Sequence, residues 1–310
     1  MIVDLLLILA GLGLLILGGD RLVRGSVALA LKLGIAPAIV GLTVLAFGTS
    51  APELIVSVAA AVGGQPGIAL GNVVGSNIAN ILLILGATAV IAQVLSNDDE
   101  LKISWAYAVG AALLLTVLCF LGPLVWWHGV ILLGVLALTL TSQIRRARED
   151  KIKAPELGET SASGGQILAW LAIGLVSLPI GAQLLVDGAS DIARSFGISE
   201  TVIGLTLVAL GTSLPELAAS VASALRGRAD MALGNVIGSN LFNILGILGI
   251  TAFFGPIYVP PEMLHFDLWF MLACTLIVGP FLYRYIPIGR LVGLVLLSVY
   301  ASYTVWLLAP

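Results

Sequence analysis

Charge is what this chain has least of. Asp, Glu, Lys and Arg make up 10% of its 310 residues, against about 25% in soluble domains. A water-facing surface cannot be built from so few charges. With a net charge of −3 there is no basic face for nucleic acid either. Cysteine is nearly absent: Cys119 and Cys274 stand alone in apolar runs and read as small buried hydrophobes. No basic segment precedes the apolar start MIVDLLLILAGLGLLILGG, so it reads as a retained first span and not as a signal peptide. A regulatory domain is missing too. The longest polar segment, RRAREDKIKAPELGETSASGG at 145–165, has room only for a solvated linker.

What is there is apolar. Hydrophobic residues make up 59% of the chain and mean hydropathy is +1.12, the composition of an all-α polytopic membrane protein. Runs of about 20 residues, the length that crosses a bilayer, fall near 2–19, 36–62, 67–92, 103–122, 125–143, 166–186, 199–225, 230–254, 264–283 and 287–307, ten in all. They divide into a five-helix unit at 1–143, a linker at 144–165 and a second five-helix unit at 166–310. Placing the linker in the cytoplasm puts every Lys and Arg except Arg194 on that side, as the positive-inside rule asks. Both termini are then extracytoplasmic, in the plasma (cell inner) membrane. Trp126, Trp127 and His128 fall at the outer interface, and His265 in the outer loop before span nine.

The sequence also contains itself. GIAPAIVGLTVLAFGTSAPEL at 34–54 aligns without gaps to GISETVIGLTLVALGTSLPEL at 197–217, with 12 of 21 positions identical. LGNVVGSNIANILLILG at 70–86 aligns to LGNVIGSNLFNILGILG at 233–249, with 13 of 17 identical. Both pairs share one offset of 163 residues, the separation of Glu53 from Glu216. Five spans per unit is an odd number, so the second unit is expected upside down relative to the first. Inverted repeats with interrupted helices are the architecture of secondary transporters, with the site near the midplane where the repeats meet.

Inside the repeat, GTSAPE places a proline and a glutamate in the middle of a membrane span. On a helix, Thr43, Ala46, Ser50, Glu53 and Ser57 share an arc of about 80°. Thr206, Ala209, Ser213, Glu216 and Ser220 copy it. An ionisable residue at mid-span costs about 2.5–3.5 kcal/mol on insertion scales, so two retained copies imply a use. Pro52 and Pro215 remove a helical N–H and expose the carbonyls of Gly48 and Gly211, which a bound cation can satisfy. The glycine before each Thr-Ser is expected to ease this unwinding. Asn72, Ser76 and Asn80 form a second stripe, copied by Asn235, Ser239 and Asn243. Asn72 and Asn235 read equally as wall oxygens or as helix glue. The pairs Gly71–Gly75 and Gly234–Gly238 permit close backbone approach. The donors are all hard oxygen, which suits Ca²⁺ or Na⁺ and disfavours zinc, copper or iron.

These paired motifs resemble the alpha repeats of the sodium/calcium exchanger branch of the calcium/cation antiporter superfamily, over nearly the whole chain. The resemblance implies exchange of Na⁺ for Ca²⁺ by alternating access, with spans one and six sliding as a unit. Glu53 and Glu216 would bind Ca²⁺ and share the Na⁺ sites, with the main-chain oxygens of Thr49 and Thr212 completing the Ca²⁺ shell. Ser50, Ser213, Ser76, Ser239 and the carbonyls of Ala46 and Ala209 match positions lining the Na⁺ sites. Asn80 and Asn243 match the central polar pair, where many relatives carry aspartate in place of Asn243. The ions are substrates in a lipid bilayer; no cofactor, no enzymatic activity, no nucleic acid and no obligate protein partner is implied. Three other readings use the same residues: a Ca²⁺/H⁺ antiporter on this scaffold, a cation channel, and an intramembrane hydrolase. The hydrolase would need asymmetric roles that the symmetric stripes do not offer.

Overall fold

In the computed structural model, residues 1–95, 98–153, 160–197 and 209–308 are described. Among them the chain is helical throughout, apart from two isolated antiparallel bridges. Eight helices are long and apolar enough to cross a membrane. These are α1 (Ile2–Leu33), α4 (Gly67–Ile91), α5 (Asp99–Phe120), α6 (Trp126–Lys153), α7 (Gly164–Ser195), α10 (Ala229–Thr251), α11 (Met263–Tyr283) and α12 (Arg290–Leu308). A bent pair, α2 (Pro37–Thr49) and α3 (Ala51–Val62), kinked by 43°, makes a ninth. The expected seventh span is described only from Ala209 onward, as α8 (Ala209–Thr212) and α9 (Leu214–Leu225). Its earlier part, including Thr206, lies outside the described residues. Multi-pass membrane architecture follows directly.

Two helices are longer than their apolar runs. α1 does not stop at 19 but continues through Asp20, Arg21 and Arg24 to a left-handed cap at Gly34. The charges of the extension are paired: Asp20 meets Arg24 at 3.2 Å and also Arg226 of the other half. α7 likewise runs on to Ser195, ending with Asp191 and Arg194 paired at 2.6 Å. His128 is buried against the protein. It is 2% exposed, its Nδ1 accepting the Val125 N–H at 3.0 Å beside the exposed Trp126 and Trp127. His265 sits in the first turn of α11 and not in a loop. Both cysteines are buried and free, as expected.

The helices form two packed layers. α4 and α10 are innermost, with 72% and 94% of their apolar windows buried. Around them Ile78, Ile81, Leu85, Leu245 and Leu248 build one core, and α5, α6, α11 and α12 surround it. Leu15, Leu22, Val23, Leu178 and Ala182 of α1 and α7 form a second, separate core that rests on Leu45, Ala219 and Met231. Leu5, Leu9, Ile16, Leu138, Leu291 and Val305 face outward, where lipid replaces water.

Lipid gives no hydrophobic drive to helix pairing, so small residues and close contact must supply it. The α1–α7 pair does this with glycines seven residues apart, at 11, 18 and 25 and again at 174, 181 and 188. The two helices run antiparallel: Gly11 meets Gly181, Gly174 meets Leu22, and Gly188 meets Asp4. A Cβ on Gly181 would fall 2.8 Å from the Gly11 carbonyl oxygen, and one on Gly188 2.5 Å from that of Asp4. The bridges Val94–Ile288 and Leu124–Ile257 tie the halves together through pairs of 2.8–3.0 Å hydrogen bonds. A buried fork, Arg146 to both Glu100 oxygens at 2.8 Å, joins α5 to α6.

Gly181→Val should therefore lower stability by about 1–3 kcal/mol through overpacking. Gly13→Ala, whose Cβ meets nothing within 4 Å, should leave it within about 0.5 kcal/mol. Thermal unfolding of the two variants in detergent measures the difference.

Candidate cation site

The break in the second span falls at Ser50, whose backbone (φ −83°, ψ 7°) is no longer helical. Pro52 then sits in the first turn of α3, where its missing N–H has no helical partner to lose. Ser213 (φ −90°, ψ 0°) and Pro215 repeat this between α8 and α9. The interruption expected from proline is present in both copies. The glycines have another purpose. A Cβ on Gly48 would lie 2.2 Å from Leu175, and one on Gly211 2.3 Å from Val186, so both also admit α7. Of the two Gly-xxx-Gly pairs, Gly234 and Gly238 hold α10 against the carbonyls of Ala38 and Leu42.

Each break delivers a glutamate to the first turn of a new helix, where the helix dipole favours a negative charge. Glu53 and Glu216 are both 1% exposed. Ser50 Oγ donates to Glu216 Oε1 at 2.9 Å across the halves, and Ser213 faces Glu53 reciprocally. Thr49 stands beside Glu216 and reaches Asn235 Oδ1 at 3.4 Å. The two carboxylates are close enough to repel each other.

Two further asparagines, absent from the sequence-derived set, organise the centre. Asn77 Nδ2 donates to the Asn240 carbonyl, and Asn240 Nδ2 to the Asn77 carbonyl, each at 3.3 Å. Their side-chain oxygens accept from Asn80 Nδ2 at 2.9 Å and Asn243 Nδ2 at 3.1 Å. This occupies the amide nitrogens of Asn80 and Asn243 and leaves their oxygens over. Asn80 opens one wide π-helical turn and Asn243 lies in another, Phe242–Ile247, a distortion that recurs at functional sites. The signal was in the sequence: Asn77 and Asn240 share the 163-residue offset. Asn72 and Asn235 are clamps. Their Nδ2 atoms bind the main-chain oxygens of Glu53 and Glu216 at 3.2 and 3.4 Å, and Ser57 and Ser220 at 3.0 Å.

Five buried oxygens around this centre have no hydrogen-bond partner: Glu53 Oε2, Glu216 Oε2, Asn80 Oδ1, Asn243 Oδ1 and Ser239 Oγ. Buried polar atoms are normally paired, so the set is suited to a cation that supplies what no donor does. Its chemistry is two carboxylates plus neutral oxygens. Among the described residues, no group of three or more His, Cys, Asp or Glu could hold a metal. Hard cations fit such a set, and Ca²⁺ tolerates its irregular geometry. Of the remaining sequence-derived residues, Thr49, Ser50, Ser213 and Ala46 are buried, and Ser76 is nearly so. The Ala46 carbonyl already accepts the Ser50 N–H at 3.1 Å. Thr212 is half-buried, and Ala209 is described only by its place at the start of α8.

A cavity of about 500 Å³ is lined by Asn72, Ser76, Thr212 and Ser213 of this region and also by Ile68 and Leu307. Leu210 and Ala79 also line it. At the positions offset by 163, Phe47 and Phe242 instead pack edge to face, 4.8 Å between centroids.

A multi-pass protein with an all-oxygen cation centre shared by two broken helices is, as a class, an ion carrier. The chain belongs to the sodium/calcium exchanger protein family, which it matches over residues 3–145 and 166–309. It is 33% identical to the sodium/calcium exchanger MaX1 of Methanosarcina acetivorans, over 98% of each chain. To the inner membrane protein YrbG of Escherichia coli K12 it is 36% identical, over 97% of this chain and 94% of that one. Its fold is similar to the solved sodium-calcium exchanger NCX_Mj soaked with zero Na⁺ and Ca²⁺, with a TM-score of 0.86, 34% identity and 99% of each chain covered.

Asn240→Ala should free the Asn80 amide to turn, leaving a buried group without its partner at a cost of about 1–3 kcal/mol. Calorimetric titration of the purified protein with Ca²⁺ should show affinity lowered about tenfold.

Proposed function

We propose that this chain exchanges Na⁺ for Ca²⁺ across the membrane, with Glu53 and Glu216 as the shared anionic ligands. The observation that carries the reading is the pairing of free carboxylate oxygens, one from each half, with free amide oxygens of Asn80 and Asn243. Two negative charges balance one Ca²⁺, and the same oxygens can instead hold Na⁺. A site that takes either load and never both couples the two fluxes. Ser50, Ser213, Ser76, Ser239, the main chain at Ala46, Ala209, Thr49 and Thr212, and the central amides complete the ligand set in this reading.

The same reading takes the chain as ten spans in two inverted five-helix units, 1–143 and 166–310, joined by the 144–165 linker. Matched hydrogen bonds at equivalent positions support it, as do the antiparallel α1 and α7 and a family match that skips the linker. The excess of Lys and Arg supports a cytoplasmic linker, extracytoplasmic termini and a plasma (cell inner) membrane location. The ≈ 500 Å³ cavity, bordered by Ile68 and Leu307, then opens outward. The Phe47–Phe242 contact closes the cytoplasmic side. The separate core of α1 and α7 suits them to slide as one body during alternating access.

Ca²⁺ uptake into proteoliposomes loaded with Na⁺, and again with an outward proton gradient and no Na⁺, tests the assignment. Both are run without K⁺ and with the membrane potential clamped. Uptake should require internal Na⁺; uptake on protons alone would instead make this a Ca²⁺/H⁺ antiporter. Glu53→Gln and Glu216→Gln should each abolish exchange while the variant stays monodisperse. Parental rates in either would remove the glutamates from the site.

A further inference from the structure

The access cavity carries a carboxylate that the exchange site does not use. Asp267, in the first turn of α11, lines it together with Tyr300, Tyr303 and Thr304. Among the described lining residues it is the only charged group, and no Lys or Arg neutralises the passage. Its Oδ1 accepts the Tyr303 hydroxyl at 2.9 Å, which holds the carboxylate in place. Glu262, exposed one turn earlier, adds a second negative charge close by. The fold does not demand an acid at this position. Its counterpart in the first half, 163 or 164 residues earlier, is Ser104 or Ile103, neither of them acidic. That of Tyr303 is Thr139, because the Gly86–Gly293 and Gly129–Gly249 contacts set the last spans 164 residues apart. The carboxylate therefore belongs to one face of the membrane only.

We propose that Asp267 is a cation-capture site in the access cavity, holding a hydrated Ca²⁺ or Na⁺ between bulk solvent and the Glu53–Glu216 centre. It rests on the reading of that centre as the transport site. A single carboxylate with neutral hydroxyls around it binds weakly. Passage needs that weakness, since an ion must be held enough to enter and loosely enough to leave. A negative charge in a low-dielectric cleft also raises the local cation concentration, by about tenfold or more.

The test is Ca²⁺/Ca²⁺ equilibrium exchange in right-side-out and inside-out vesicles, a readout indifferent to whether Na⁺ or H⁺ drives net transport. Failure of the sodium reading would show in the driving-ion assay and leave this one intact. Asp267→Asn, nearly isosteric, should raise the half-saturating Ca²⁺ concentration about threefold or more at the cavity face. The inner face and the maximal rate should not change. Asp267→Glu should restore the parental value. Impermeant choline chloride should weaken apparent affinity in the parent more than in Asp267→Asn, because salt screens the charge. An unchanged half-saturation in Asp267→Asn or an equal shift at both faces would each overturn the proposal.

Discussion

Two carboxylates facing each other inside a membrane protein are the constraint on which the rest depends. At an effective dielectric well below that of water, like charges a few ångströms apart repel by several kcal/mol, and lipid offers no counter-ion. Glu53 and Glu216 each sit in the first turn of a helix and have a hydroxyl from the opposite half, which offsets part of the cost, while one oxygen of each stays unpaired. The unpaired oxygen on each carboxylate suits the pair to a cation, as the proposed exchange requires.

Everything near the pair serves to hold those oxygens in place without satisfying them. Asn72 and Asn235 fasten the broken helices by their main chain. Asn77 and Asn240 lock each other and then the nitrogens of Asn80 and Asn243. The amides thus meet one another's donors and acceptors, and the leftover acceptors are available to a cation. Replacing an aspartate by Asn243 at the centre is compatible with this arrangement. The carboxamide donates to Asn77 through its nitrogen and still presents an oxygen.

Around this rigid centre the α1–α7 pair is packed by different means. Its glycine seam brings backbone against backbone, and its core is separate from that of the other helices. Close contact along one seam gives the pair a cohesion of its own, which the proposed sliding would use. The layered packing and the aromatic contact on one side only give the two faces of the centre unequal access.

Much of this was legible in the chain itself, because lipid imposes simple rules. Composition, span length and the 163-residue repeat determined an all-helical membrane protein with two equivalent motifs, and the proline-glutamate pair marked the breaks and the candidate ligands. The glycine seam and the roles of Asn77 and Asn240 were written in the same repeat but had no meaning until the helices met. A helix wheel gives the direction of a side chain, not its partner. Only the tertiary structure decided that α1 would run past its apolar stretch to pair Asp20 with Arg226, and that the glycines of GTS would admit α7. It also decided that Phe47 and Phe242 would touch where Leu210 and Ala79 line a cavity. The repeats are nearly equal in sequence. Their surroundings are not, and which face is open is a property of packing between segments far apart in the chain.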